Sequence, residues 1–75
     1  MNRKQFRALK AGDIVKVKYQ YDQHHLVLIE EIRCLGRQWD NLYEASGKIL
    51  SSKVFKEGID WHLVEEECVS YELIA

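Results

Sequence analysis

The sequence predicts a small all-β fold, a closed barrel of five to six short strands preceded by a short N-terminal arm or helical turn. Three observations carry this. Apolar residues alternate with period two along much of the chain, and turn residues interrupt them roughly every 8 to 12 residues. With only 75 residues, a flat sheet would leave an apolar face and two edges in water, whereas a strongly bent, closed sheet fills a single core.

The elements follow in order. From Asn2 to Ala11, Phe6 and Leu9 lie three apart among basic residues and Gly12 follows as a stop, so residues 1–11 read as a basic N-terminal arm and residues 12–75 as one barrel domain. After the Gly12-Asp13 turn, Val15, Val17, Tyr19 and Tyr21 share one strand face, and Lys16, Lys18 and Gln20 the other. Asp22 to His25 reads as a polar hairpin tip. Leu26 to Arg33 is the return strand, with Val15, Val17, Leu28 and Ile29 expected in the core. Its apolar residues fall on both parities, which predicts either burial on both faces or a bulge near Glu30 that swaps them. Residues 34–41 form the next connection, and Ser46-Gly47 reads as the turn of a second hairpin between "LYEA" and "KILSSKVF". A turn at Lys56 to Gly58, an alternating strand "IDWHLVE" and a closing strand "CVSYELI" complete the set.

Composition excludes several classes. The chain is 47% hydrophobic and 31% charged with no proline, which sets it apart from disordered linkers and docking tails. No apolar run approaches the roughly 18 residues of a membrane span. The N-terminus has basic residues without the apolar stretch of a secretory signal, so a cytoplasmic location is expected. Cys34 and Cys68 are too few for a disulfide scaffold and fit no common zinc spacing, so they read as two thiols packed as small hydrophobes, a single disulfide being the alternative for a secreted chain. The formal net charge of −1 is unevenly placed: residues 1–37 hold eight Lys/Arg against four Asp/Glu, and residues 38–75 hold three against eight. Such polarity suits a charged partner unless the halves interleave in space.

"LKAGDIVKVKY" (Leu9 to Tyr19) resembles the first strand of small SH3-like barrels of the Tudor and KOW type, in which a Gly-Asp turn introduces an apolar-x-apolar strand. "SGKIL" and the tryptophan of "DWHLVE" are similar to the second half of such barrels. The short, proline-free chain also resembles small accessory proteins encoded by bacteriophages. The resemblance implies a non-catalytic binding module. The Ala-Leu-Tyr-Asp-Tyr signature of polyproline-binding members is absent, as is the glycine that follows the first strand in KOW modules, so neither of those ligand modes is implied.

Individual residues give a consistent picture. His24 and His25 with Asp22 nearby have metal-ligand chemistry, but adjacent strand residues point to opposite faces, so the pair reads as a solvated hairpin tip and no metal or cofactor is expected. Cys34 with His62 lacks a third residue or oxyanion motif, and no enzymatic activity is expected. Glu65 to Glu67 reads as a solvated acidic loop. The aromatics Tyr43, Phe55, Trp61 and Tyr71 read as core. Trp39, which follows "GRQ" and precedes "DN", reads as a loop-tip tryptophan beside Arg37, suited to a protein interface. Arg3, Lys4, Arg7, Lys10, Lys16 and Lys18 form the one basic cluster. The sequence thus predicts a protein–protein adaptor or regulator contacting its partner through these lysines and arginines or through Arg37 and Trp39. A nucleic-acid-binding barrel using the same cations is the alternative, although the pI near 6.3 is low for one. Self-association through the edge of "CVSYELI" is compatible with both.

Overall fold

The computed structural model describes residues 1–18 and 23–75. The chain is mostly β. Strands β1 (Ile14–Lys18), β2 (His24–Cys34), β3 (Tyr43–Ser52), β4 (Asp60–Val64) and β5 (Tyr71–Leu73) form one antiparallel sheet in the order β4-β3-β2-β1-β5. A helix α1 (Arg3–Arg7) precedes the sheet, and 3-10 segments at Arg37–Trp39 and Glu65–Ser70 precede β3 and β5. The last strand therefore returns across the molecule to pair with the first, Val15 facing Leu73 and Val17 facing Tyr71.

Alternation sets the faces of β1, as expected: Val15 and Val17 are buried. On β2 the inward residues are His25, Val27 and Ile29, while Leu28, expected in the core, is only half-buried on the outer face opposite Ile14 and Lys48. The reason is register. With Val15 paired to Val27 and Val17 to His25, the odd positions of both strands share the core face. The pairing of β2 with β3 slips between Ile29 and Glu31, a bulge where the mixed parity predicted one, and beyond it Ile32 packs against the core. A second irregularity lies between Leu26 and Val27.

Three expectations are corrected. Ser46-Gly47 is no turn: both residues lie inside β3, facing Glu31 and Ile29 across the ladder. Gly47 is there because the Leu28 carbonyl comes so close that a Cβ would overlap it. His24 and His25 belong to β2 rather than to a hairpin tip, and His25 is wholly buried. The closing strand is shorter than "CVSYELI", since Cys68 to Ser70 are in the 3-10 segment. The tip residues Tyr19 to Asp22, and with them the face assigned to Tyr19, Gln20 and Tyr21, lie outside the described residues.

Phe6 and Leu9, from the segment read as an arm, are buried in the same cluster as Val15, Val27, Ile49, Leu63 and Tyr71. Helix α1 is short, and its start is held by a reciprocal cap: the Asn2 side chain accepts from the Gln5 N–H at 2.7 Å, and the Gln5 side chain accepts from the Asn2 N–H at 2.9 Å. The Met1 ammonium donates to the carbonyls of Cys68 and Tyr71 at 2.8 and 2.6 Å. The Tyr71 hydroxyl accepts from the Val64 N–H at 3.1 Å, and burial pushes its pKa up to about 12.

Because backbone cannot move aside as a flexible side chain does, Gly47→Ala is expected to destabilise the fold by about 2–3 kcal/mol, a fall in melting temperature of roughly 10–20 °C. Thermal denaturation followed by circular dichroism measures it, with Ser46→Ala as the control that leaves the β2–β3 approach untouched.

Candidate functional site

The acidic run after β4 contains the most constrained group in the molecule. Glu65 was expected in a solvated loop, but it is fully buried. Its two oxygens accept four hydrogen bonds. Oε1 takes Arg7 Nε at 2.8 Å and the Tyr43 N–H at 3.2 Å, and Oε2 takes Arg3 Nη1 at 2.8 Å and Arg7 Nη2 at 3.1 Å. A carboxylate has about four lone-pair sites, so its acceptor capacity is filled. The bond from Arg7 outweighs desolvation and holds the carboxyl below the ordinary 4.5, with the Tyr43 N–H and Arg3 assisting. Arg3 and Arg7 keep 57% and 45% of their side-chain surface in water, so the cost of burial falls mainly on Glu65. The Arg7 guanidinium also lies 4.9 Å over the Tyr43 ring.

Glu65 and Tyr43 also line a groove of about 400 Å³. Leu35, Leu42, Tyr43 and Val64 give it an apolar lining, Arg33, Glu44 and Glu66 a polar one, and Trp39 stands at its side. Arg33 and His62 both reach Glu44, at 3.2 Å each. Trp39 is 61% exposed, and the loop that carries it is tightly bonded. The N–H groups of Trp39 and Asn41 donate to the Gly36 carbonyl at 3.1 and 2.9 Å, that of Leu42 to Trp39 at 3.0 Å, and that of Leu35 to Leu42 at 2.8 Å. Gly36 enters the 3-10 turn at φ 87°, and Asp40 and Asn41 leave it in the left-handed region that short polar side chains tolerate.

The predicted site residues do not form one surface. Arg3 and Arg7 are committed to Glu65, Lys4 and Lys10 are exposed on and after α1, and Arg37 and Trp39 share the exposed 3-10 turn. Lys16 and Lys18 lie on the outer face of β1, where Lys16 faces Glu72 on β5 and Lys18 faces His24 on β2. There they line two adjoining hollows, one shared with Val69 and Ser70, the other, reached by Lys16 alone, with Leu26, Lys53 and Ile74. The groove residues Leu35, Leu42 and Tyr43 were missed; the signal for them is the pair of leucines bracketing "GRQWDN". Both cysteines are free, Cys34 exposed and Cys68 buried. Among the described residues no three of His, Cys, Asp and Glu converge as metal ligands, and no helix is long and apolar enough to cross a membrane.

Glu65→Gln places an amide NH₂ among arginine donors and is expected to cost about 1–3 kcal/mol in urea denaturation near neutral pH. A carboxyl held below 4.5 contributes stability that is complete above that value and lost as pH falls through its lower folded pKa. The difference between wild type and variant therefore shrinks as pH falls below 4.5 and vanishes once pH lies below the folded pKa of Glu65. No protein-family model, curated protein or solved structure matches the chain.

Proposed function

We propose that the protein is a non-catalytic binding module of SH3-like barrel build that docks a segment of another protein in the groove beside Trp39. The carrying observation is an indole 61% exposed on a loop that its own backbone hydrogen bonds already order. A large apolar side chain left in water is expensive for a monomer, and one held rigid loses little entropy on binding, which is the profile of an interface anchor. The apolar lining of Leu35, Leu42 and Val64 accepts an apolar side chain of the partner, and Arg33, Glu44 and Glu66 meet its polar backbone. The barrel reading is supported by the strand order, in which β5 returns to β1, by the 3-10 segment between β4 and β5, and by the bulge that bends β2.

The nucleic-acid reading draws on a different observation, the outer hollows lined by Lys16, Lys18, His24 and Lys53. Glu72 sits opposite Lys16 in the ladder and offsets part of that charge, which ranks this reading second. Steep loss of binding with rising salt distinguishes it from docking at Trp39.

Trp39→Ala is expected to weaken binding of a captured and purified partner by roughly tenfold or more, while thermal stability stays within about 0.5 kcal/mol because the side chain packs little in the free protein. Titration calorimetry with that partner and a parallel melt check it. Equal affinity of wild type and variant for every captured protein contradicts the groove as the docking site.

A further inference from the structure

At the end of β2 remote from Trp39, the buried His25 packs in a triangle with two aromatic rings. Phe55 and Trp61 meet it edge-on at 5.2 and 5.1 Å, and their own centroids are 5.0 Å apart. Both rings were expected in the core; they are half-buried and cap it. Across the ladder, Ser52 faces His25 and brings its Oγ within 2.7 Å of Nδ1. The same oxygen accepts the N–H groups of Val54 and Phe55 at 3.0 and 3.1 Å.

A serine hydroxyl has one proton and two lone pairs. With both lone pairs engaged by backbone donors, the hydroxyl proton is the group left to bond His25 Nδ1, and we take Nδ1 as the acceptor and the neutral imidazole as the Nε2–H tautomer.

We propose that His25 and Ser52 are an acid-released latch on the segment between β3 and β4. Protonation of Nδ1 sets two donors against each other, and the hydroxyl accepts from the imidazolium only by giving up one of the two backbone N–H groups. The turn at Val54 and Phe55 then opens, the Phe55 ring leaves His25 and Trp61, and an apolar surface is presented in acid that is closed at neutral pH. Among the described residues, those facing the ring are Val17 on β1, Ser52 on β3, Trp61 on β4 and Phe55, none of them charged; the titratable neighbour is His24, exposed on the other face of β2, and Lys53 lies in the exposed turn. Burial, opposed in part by a hydrogen bond to the His24 backbone, holds His25 below the ordinary 6.5, so the contribution of the latch is complete above that value and is lost as pH falls below it.

Nitrogen-15 NMR of the imidazole and amide hydrogen exchange in the full chain test this. At neutral pH His25 is expected as the Nε2–H tautomer. Below 6.5, exchange at Val54 and Phe55, corrected for its intrinsic pH dependence, is expected to rise roughly tenfold while Ala45 and Ile49 stay protected. Ser52→Ala is expected to expose the Val54 and Phe55 amides at neutral pH already and to abolish their acid response, whereas Ser52→Thr retains both. An Nδ1–H tautomer at neutral pH, or acid exchange that rises together at Phe55 and Ile49, overturns the latch.

Discussion

Glu65 is the constraint on which the rest of the molecule depends. A carboxylate without solvent contact is tolerated only if every lone pair is met, and here the partners are three residues from two elements: Arg3 and Arg7 on α1, and the backbone of Tyr43 at the start of β3. The group that must be satisfied is also the group that fastens the helix to the sheet. Phe6, on the same short helix, is wholly buried in the core. Five helical residues have little intrinsic stability, so α1 exists because of what it docks against. The Asn2 and Gln5 cap sets its first turn, and the ion pairs hold it in place.

The same clamp shapes the candidate site. Arg7 lies between Glu65 and the Tyr43 ring, and Tyr43 lines the groove at whose side Trp39 stands. The chain thus divides its cations by role. Two arginines of the basic cluster are paired with the one buried carboxylate of Glu65, while Lys16 and Lys18 stay on the outer face of β1. A cluster that is continuous in sequence is discontinuous in space, and the surface that combines exposure, rigidity and apolar character is the Trp39 loop.

Much of the fold was legible, for physical reasons that differ by element. Val15 and Val17 announce their face because strand alternation is strict, whereas mixed parity around Glu30 allows either burial on both faces or a bulge, and the register shift between Ile29 and Glu31 selects the bulge. Trp39 was legible as exposed because it lies between turn residues. Gly47 misled because glycine after serine signals a turn locally, whereas its actual reason is the close approach of Leu28, a non-local fact. Glu65 was hidden inside an acidic run, and nothing local separates it from Glu66; only tertiary pairing with residues 58 and 62 positions away does so. His25 was misplaced because its strand partners, Val17 and Ser52, are set by register. The capping pattern of Asn2 and Gln5 was readable and overlooked.

The most direct test of the clamp is a carbon-13 NMR titration of the glutamate side-chain carboxyls, followed together with the backbone resonances of Arg3 to Arg7. Glu65 is expected to titrate below 4.5, with the α1 resonances shifting in the same step as the helix detaches. Contradiction would be Glu65 titrating at or above 4.5, or α1 staying docked after Glu65 has taken its proton.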